Sequence, residues 1–247
     1  MNNLYEEKKL IRAYDVDLNN NIKLNSLFNL FQDAASVHAE NMGLGFDSLK
    51  KYDLAWVLSW AKVKINKFPA FGQEVKIVTW PKSRHKLYSI RDFHVADKNG
   101  NIVSGATTAW LLINVKTKRI SDLRNLPVEI SYLPDRSGLD DLPEKIQLPA
   151  GKKHIYTKKI RYSDIDINLH TNNTVYVESA LNCWEPDKFS TKKIETFEIN
   201  FSAESFFDDE IMLFASPDEQ NGNTDLVEGI NGRNNRSVFQ AKIKWSE

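Results

Sequence analysis

Two stretches decide how this chain folds: IRAYDVDLNNN at residues 11–21 and IRYSDIDINLH at residues 160–170. Laid side by side without gaps, Ile11, Arg12, Asp15, Asp17 and Asn19 meet Ile160, Arg161, Asp164, Asp166 and Asn168. Val16 and Leu18 meet Ile165 and Ile167. Five identities and two close matches over eleven positions point to one structural unit used twice. The copies part at their last position, where Asn21 faces His170.

The segments after the two copies extend the repeat. After the first, Leu24, Leu27, Phe28, Phe31, Ala35, His38 and Met42 fall at three- and four-residue spacing, which predicts an amphipathic helix stopped by Gly43. After the second, Val177, Leu181 and Trp184 predict another helix, with Thr171, Asn172 or Asn173 as its N-cap. Strands come after the first helix: LAWVLSWAKVKI, EVKIVTW, KLYSIRDFHVAD and IVSGATTAWLLINV. The second half runs in the same order through KKIETFEINFS, EIMLFAS, DLVEGI and SVFQAKIKW. Between them, a stretch with Pro134, Pro143 and Pro149 and little periodicity reads as a linker. The expected division is therefore residues 1–131, a linker over 132–153, and residues 154–247. The fold class is α+β: a tandem, or double, hotdog, each half a long helix wrapped by a curved antiparallel sheet.

Bulk composition excludes several functions. The chain has 247 residues, 41% hydrophobic, with formal net charge +0, so it is globular and has no whole-molecule field for nucleic acid. Lysines and arginines cluster locally, at Lys62, Lys64 and Lys67, at Lys116, Lys118 and Arg119, and at Lys152, Lys153, Lys158 and Lys159. These clusters are either solvated strand faces or a dock for an acidic partner. The lone cysteine, Cys183, excludes an internal disulfide. No secretory signal and no spanning run is visible, so a soluble, cytoplasmic protein with no membrane association is expected. No phosphate-cradling glycine loop and no metal-ligand spacing occurs, so no metal and no cofactor are expected.

RYSDIDINLHTNNTVYVE, residues 161–178, resembles the signature of the acyl-(acyl carrier protein) thioesterase family, Ser-Asp-x-Asp-x-Asn-x-His-x-Asn-Asn ahead of a helix. WVLSW at 56–60, Glu74 to Trp80, IRDF at 90–93, ATTAWLLIN, FSAESFFDDEI at 201–211 and FQAKIKW resemble other parts of that family, so the likeness spans nearly the whole chain. The resemblance implies an enzyme that hydrolyses the thioester between a fatty acyl chain and the phosphopantetheine arm of acyl carrier protein, ending chain elongation. It implies that Asp166, Asn168, His170 and Glu204 are catalytic. Where the family carries a cysteine beside the glutamate, this chain has Ser205, which puts a cysteine nucleophile there in doubt. Plant members carry a transit peptide that is not seen here, so a bacterial member is expected.

Each residue has a plainer reading beside that one. Glu204 lies between apolar segments, where partial loss of water suits a general base, but an exposed strand-end glutamate reads the same. His170 orients water or meets the thioester carbonyl, or is an ordinary loop histidine; Asn21 in its place in the first copy shows that the turn does not need it. Asn168 and Asp166 are matched by Asn19 and Asp17, so a shared turn role competes with a catalytic one. Backbone N–H groups near Asn172 and Asn173, at the start of the second helix, are the expected oxyanion donors and substrate-binding positions. Trp56, Leu58 and Phe31 are possible walls of an acyl tunnel in the first half, or plain core. The expected partner is acyl carrier protein, with the protein a monomer or homodimer. Alternatives are an acyl-CoA thioesterase, a hydratase acting on acyl thioesters, and a non-catalytic lipid-binding hotdog.

Overall fold

A computed structural model describes residues 3–149, 151–217 and 222–246, which divide into two units, Met1–Pro143 and Glu144–Glu247. In the first unit, β1 (Tyr5–Leu10) leads through a 3-10 turn at Ala13–Asp15 to α1 (Leu24–Asn41) and a short α2 (Phe46–Lys50). Then come β2 (Leu54–Ile65), β3 (Glu74–His85), β4 (Tyr88–Ala96), β5 (Ile102–Asn114) and β6 (Arg119–Ile120). The strands pair antiparallel in the order β1-β3-β4-β5-β2, with β6 beside β5. In the second unit, β7 (Lys153–Lys159) and a 3-10 turn at Tyr162–Asp164 lead to α3 (Asn173–Leu181) and α4 (Pro186–Thr191). They are followed by β8 (Lys193–Phe201), β9 (Glu210–Pro217), β10 (Thr224–Asn231) and β11 (Arg236–Ser246), in the order β8-β11-β10-β9-β7. Each unit sets a helix beside an antiparallel sheet, so the chain is a double hotdog.

The helical stripe read from the sequence is the buried one: Leu24, Leu27, Phe28, Phe31, Ala35, His38 and Met42 all lie inside, joined by Ala34. Gly43 stops α1 with a φ of +71°, a conformation that costs glycine nothing. The second helix, α3, has 9 residues where α1 has 18, and it stops short of Trp184, which the spacing places on it. It ends at Leu181 because Pro186 holds the residue before it, Glu185, in an extended conformation and starts a new helix. Trp184 therefore packs outside α3, edge-on to Trp245 at 5.9 Å between ring centroids.

The repeat extends to the backbone hydrogen bonds. Asp15 accepts from the Arg12 N–H at 2.9 Å, and Asp164 from the Arg161 N–H at 2.9 Å. Ile11 N–H bonds Gln73 O at 2.9 Å and Ile160 N–H bonds Asp209 O at 2.8 Å. Gly72 N–H returns to Ile11 O at 2.9 Å and Asp208 N–H to Ile160 O at 3.0 Å. Ile22 N–H reaches Pro69 O at 2.8 Å and Thr171 N–H reaches Ser205 O at 2.9 Å. Counting from these pairs, Pro69 corresponds to Ser205 and Phe68 to Glu204.

Residues 133–141, at the sequence-predicted linker, belong to the first unit and lie along its sheet. Leu133 N–H bonds Pro81 O at 2.9 Å, Trp80 Nε1 donates to Arg136 O at 3.2 Å, and Lys82 Nζ donates to Ser137 Oγ at 2.7 Å and Leu139 O at 2.6 Å. Gly138 N–H donates to Asp92 Oδ2 at 2.5 Å. A Cβ on Gly138 would sit 2.7 Å from Ala106 O and 2.9 Å from Phe93 O, so only glycine passes this close to the sheet. The strap explains why β4 carries Arg91 and Asp92 side by side, both buried. Successive strand residues face opposite ways. Arg91 donates to His38 Nδ1 at 3.0 Å and Thr79 Oγ1 at 3.1 Å, while Asp92 meets the strap and Lys82 at 3.2 Å. Burial lowers the Arg91 guanidinium to about 10.

Candidate active site

Two loops of the second unit build the site: residues 161–172, between β7 and α3, and residues 202–209, between β8 and β9. Asp166 organises the first. Its N–H bonds His170 O at 2.8 Å, and its Oδ1 accepts from Asn168 N–H at 2.8 Å and His170 N–H at 3.4 Å. This closes the turn around Leu169, which takes a positive φ of 64°. The first unit builds the same turn: Asp17 Oδ1 accepts from Asn19 N–H at 2.9 Å and Asn21 N–H at 3.0 Å, with Asn20 at φ 60°. Asp166 thus holds the backbone that carries His170 and makes no hydrogen bond to the imidazole. The Asn168 side chain reaches Asp166 Oδ2 at 3.4 Å and bonds neither His170 nor Glu204.

His170 and Glu204 do come together, 34 residues apart in sequence, with His170 Nδ1 3.5 Å from Glu204 Oε1. Their side chains are 28% and 45% exposed, so Glu204 keeps more of its water than its apolar sequence neighbours suggest. Phe206 packs edge-on against the His170 ring, with centroids 5.2 Å apart. In the first unit Asn21 and Phe68 hold the corresponding places, so the same backbone carries no acid–base pair there.

At the start of α3, Asn172 is the N-cap: its side chain accepts from Thr174 N–H at 2.9 Å and Thr174 Oγ1 at 3.0 Å. Its own N–H is bonded to Asp164 O at 2.9 Å, which removes it as an oxyanion donor. The Asn173 amide, first in the helix, points to no acceptor among the described residues.

Neither the Ser205 hydroxyl nor the Cys183 thiol is set up as a nucleophile. Ser205 is fully buried, its Oγ 2.7 Å from Thr171 Oγ1 and 2.8 Å from Tyr176 Oη. Burial pushes the Cys183 thiol up to about 12, leaving it protonated and inert. Asp209 pins the far end of the second loop, accepting from Phe206 N–H at 3.0 Å and Asn231 Nδ2 at 2.8 Å. The sequence reading took Thr171 only as a possible N-cap and passed over Tyr176, Phe206 and Asp209. The repeat held a signal for two of them, since Thr171 and Tyr176 stand where the first copy has Ile22 and Leu27.

Among the basic clusters, Lys62 pairs with Asp141 and Lys152 with Glu228. Lys116 pairs with Asp53 at 2.7 Å, Lys158 with Asp164 at 3.1 Å and Lys159 with Asp208 at 2.9 Å. Of the tunnel candidates, Phe31 packs on Phe93 at 4.8 Å, Leu58 is buried, and Trp56 packs against the cluster that holds Leu44 and Leu49, its Nε1 bonded to Leu44 O at 3.1 Å. No described helix is long and apolar enough to cross a membrane.

Comparison with known proteins identifies the family. The Acyl-ACP thioesterase N-terminal domain family matches residues 2–129, and the Acyl-ACP thioesterase C-terminal domain family matches residues 149–247. Oleoyl-acyl carrier protein thioesterase 2 of Arabidopsis thaliana is 26% identical over 98% of this chain and 73% of its own length. An acyl-ACP thioesterase from Bacteroides thetaiotaomicron superposes with a TM-score of 0.91 at 27% identity, over 99% of this chain and 98% of that one. The 12:0-ACP thioesterase from Umbellularia californica shares the fold, with a TM-score of 0.84 at 21% identity over 100% of this chain and 98% of its own. The chain is a thioester hydrolase that belongs to the acyl-ACP thioesterase family.

Proposed function

We propose that this protein hydrolyses fatty acyl-(acyl carrier protein), releasing free fatty acid and ending elongation, with Glu204 as the general base. The observation that carries the residue assignment is the 3.5 Å approach of His170 to Glu204, found in the copy that has both residues and replaced by Asn21 and Phe68 in the other. Glu204 takes a proton from water as the oxygen attacks the thioester carbonyl. The Asn173 amide, at a helix start, faces the charge that builds on the carbonyl oxygen. The C–S bond then breaks, and the thiolate of the phosphopantetheine arm recovers the proton from Glu204. His170, 3.5 Å from the carboxylate, steadies it. Asp166 and Asn168 hold the turn that presents His170.

The test is free-thiol release from acyl carrier protein substrates of graded chain length, with Glu204→Ala and Ser205→Ala beside wild type. Wild-type release, lowered about 10²- to 10⁴-fold in Glu204→Ala, is expected for the loss of a general base. Ser205→Ala loses much less than Glu204→Ala, because the buried serine is not the nucleophile. Turnover should also weaken with ionic strength if an acidic carrier protein is the substrate. Release from acyl-CoA but from no carrier substrate would overturn the partner; release from neither would overturn the function.

A further inference from the structure

Beneath the His170–Glu204 pair lies a chain of three buried hydroxyls. Thr171, Tyr176 and Ser205 are 5%, 3% and 0% exposed. Ser205 Oγ lies 2.8 Å from Tyr176 Oη and 2.7 Å from Thr171 Oγ1, and Thr171 Oγ1 lies 3.0 Å from Ser205 O. One assignment of the protons satisfies all three. Tyr176 O–H donates to Ser205 Oγ, Ser205 O–H donates to Thr171 Oγ1, and Thr171 O–H donates to Ser205 carbonyl. Three protons meet three acceptors, as buried hydroxyls require.

The position of this chain gives it a consequence. Thr171 follows His170 and Ser205 follows Glu204, so the chain joins the two loops one residue beyond each member of the pair. The Thr171 N–H to Ser205 O bond at 2.9 Å runs alongside it. The other copy of the fold is a built-in control. It keeps that backbone bond, from Ile22 N–H to Pro69 O at 2.8 Å, but has Ile22, Leu27 and Pro69 where the second copy has Thr171, Tyr176 and Ser205. The loop joint forms without hydroxyls. They occur in the copy that also carries the histidine and the glutamate.

We propose that Tyr176 and Thr171, acting through Ser205, are positioning residues that hold Glu204 at its distance from His170 for thioester hydrolysis. This rests on the hydrolytic reading above. Neither residue touches substrate. Tyr176, anchored in α3, fixes the rotamer of Ser205, and the Thr171 hydroxyl fixes the Ser205 carbonyl. The loop beyond Glu204 is then clamped at this point and at Asp209, leaving little slack in the short span between them.

The experiment compares Tyr176→Phe, Thr171→Val and Thr171→Ser with wild type and Glu204→Ala, measuring kcat and KM separately. Misplacing a catalytic group by a fraction of an ångström predicts a fall in kcat of about ten- to a hundredfold, with KM little changed. Thr171→Ser keeps the hydroxyl and should restore most of the rate, which recovery of packing alone would not do. Tyr176→Phe with Thr171→Val should cost much less than the two single losses multiplied, because both break one chain. A kcat within twofold of wild type in both single variants, while Glu204→Ala is dead, would overturn the positioning role and leave the hydrolytic reading intact. If wild type itself turns over no thioester, the hydrolytic reading fails, and the coupling is read from the His170 ring resonances by NMR. Their displacement in Tyr176→Phe supports the chain's hold on the site, and coincidence with wild type overturns it.

Discussion

Replacing Lys82 by methionine should loosen the first unit in a pH-dependent way. The Asp92 side chain is 0% exposed and Lys82, 16% exposed, is its ionic partner at 3.2 Å. Asp92 Oδ2 also accepts from Gly138 N–H at 2.5 Å, while Oδ1 has no hydrogen-bond partner, the Thr107 hydroxyl being turned to Leu139 O at 3.2 Å. Burial already pushes this carboxyl above its ordinary 3.8, against the pull of the Gly138 amide and Lys82. Removing one member of a buried pair typically costs about 3 to 5 kcal/mol. Here an upper limit comes from the alternative of taking up a proton. At pH 7, protonating a carboxyl whose ordinary value is 3.8 costs about 4.4 kcal/mol, and at pH 5 about 1.6 kcal/mol. The sign is set by the folded state binding the proton more tightly than the unfolded chain, so stability falls as pH rises. The charge-dependent part of the Lys82→Met penalty should therefore be about 3 kcal/mol at pH 7 and no more than about 1.6 kcal/mol at pH 5, added to a pH-independent part from the lost bonds to Ser137 and Leu139. Urea unfolding at both pH values measures it, and hydrogen exchange at the Gly138 amide shows whether the strap is the part released. A penalty equal at the two pH values, or below about 1 kcal/mol at pH 7, would refute the argument that Lys82 offsets a buried charge.

Three further outcomes are expected. Asp17→Ala and Asp166→Ala should each cost about 1 kcal/mol of stability through lost turn hydrogen bonds, but only Asp166→Ala should also lower kcat, by about tenfold or more; equal effects on kcat would contradict the one-sided site. Leu169 holds a φ of 64°, so Leu169→Asn should leave stability unchanged or raise it by up to about 1 kcal/mol in thermal melts, and a loss would show that its side chain is needed. Iodoacetamide at pH 7.5 should leave activity unchanged because burial keeps Cys183 protonated; rapid inactivation with alkylation at Cys183 would contradict that.

Most of what was legible in the sequence was local. The duplication shows in eleven residues because each copy closes its turn with its own side chains, Asp17 on Asn19 and Asn21, and Asp166 on Asn168 and His170. Bonds that span two to four residues leave a spacing that can be read directly. The buried stripe of α1 was readable for the same reason, as helical period places Leu24, Leu27, Phe31 and His38 on one face. The point where the copies diverge, Asn21 against His170, was visible too.

The tertiary structure alone decided the rest, because those contacts join residues far apart in the chain. Nothing near Glu204 says that His170 stands 3.5 Å away, and the apolar neighbours that suggested burial leave it 45% exposed. Nothing in the sequence around Ser205 says that Thr171 and Tyr176 enclose its hydroxyl. Arg91 and Asp92 look like exposed strand charges, since alternation in a strand separates two faces without saying what covers either. It took α1 on one side and the strap on the other to bury both, and the strap's hydrogen bonds include those with Pro81, Lys82 and Asp92, more than 40 residues earlier. Turn and helix chemistry is written in neighbouring residues; the pairing of charges and hydroxyls across loops is set only when the chain closes on itself.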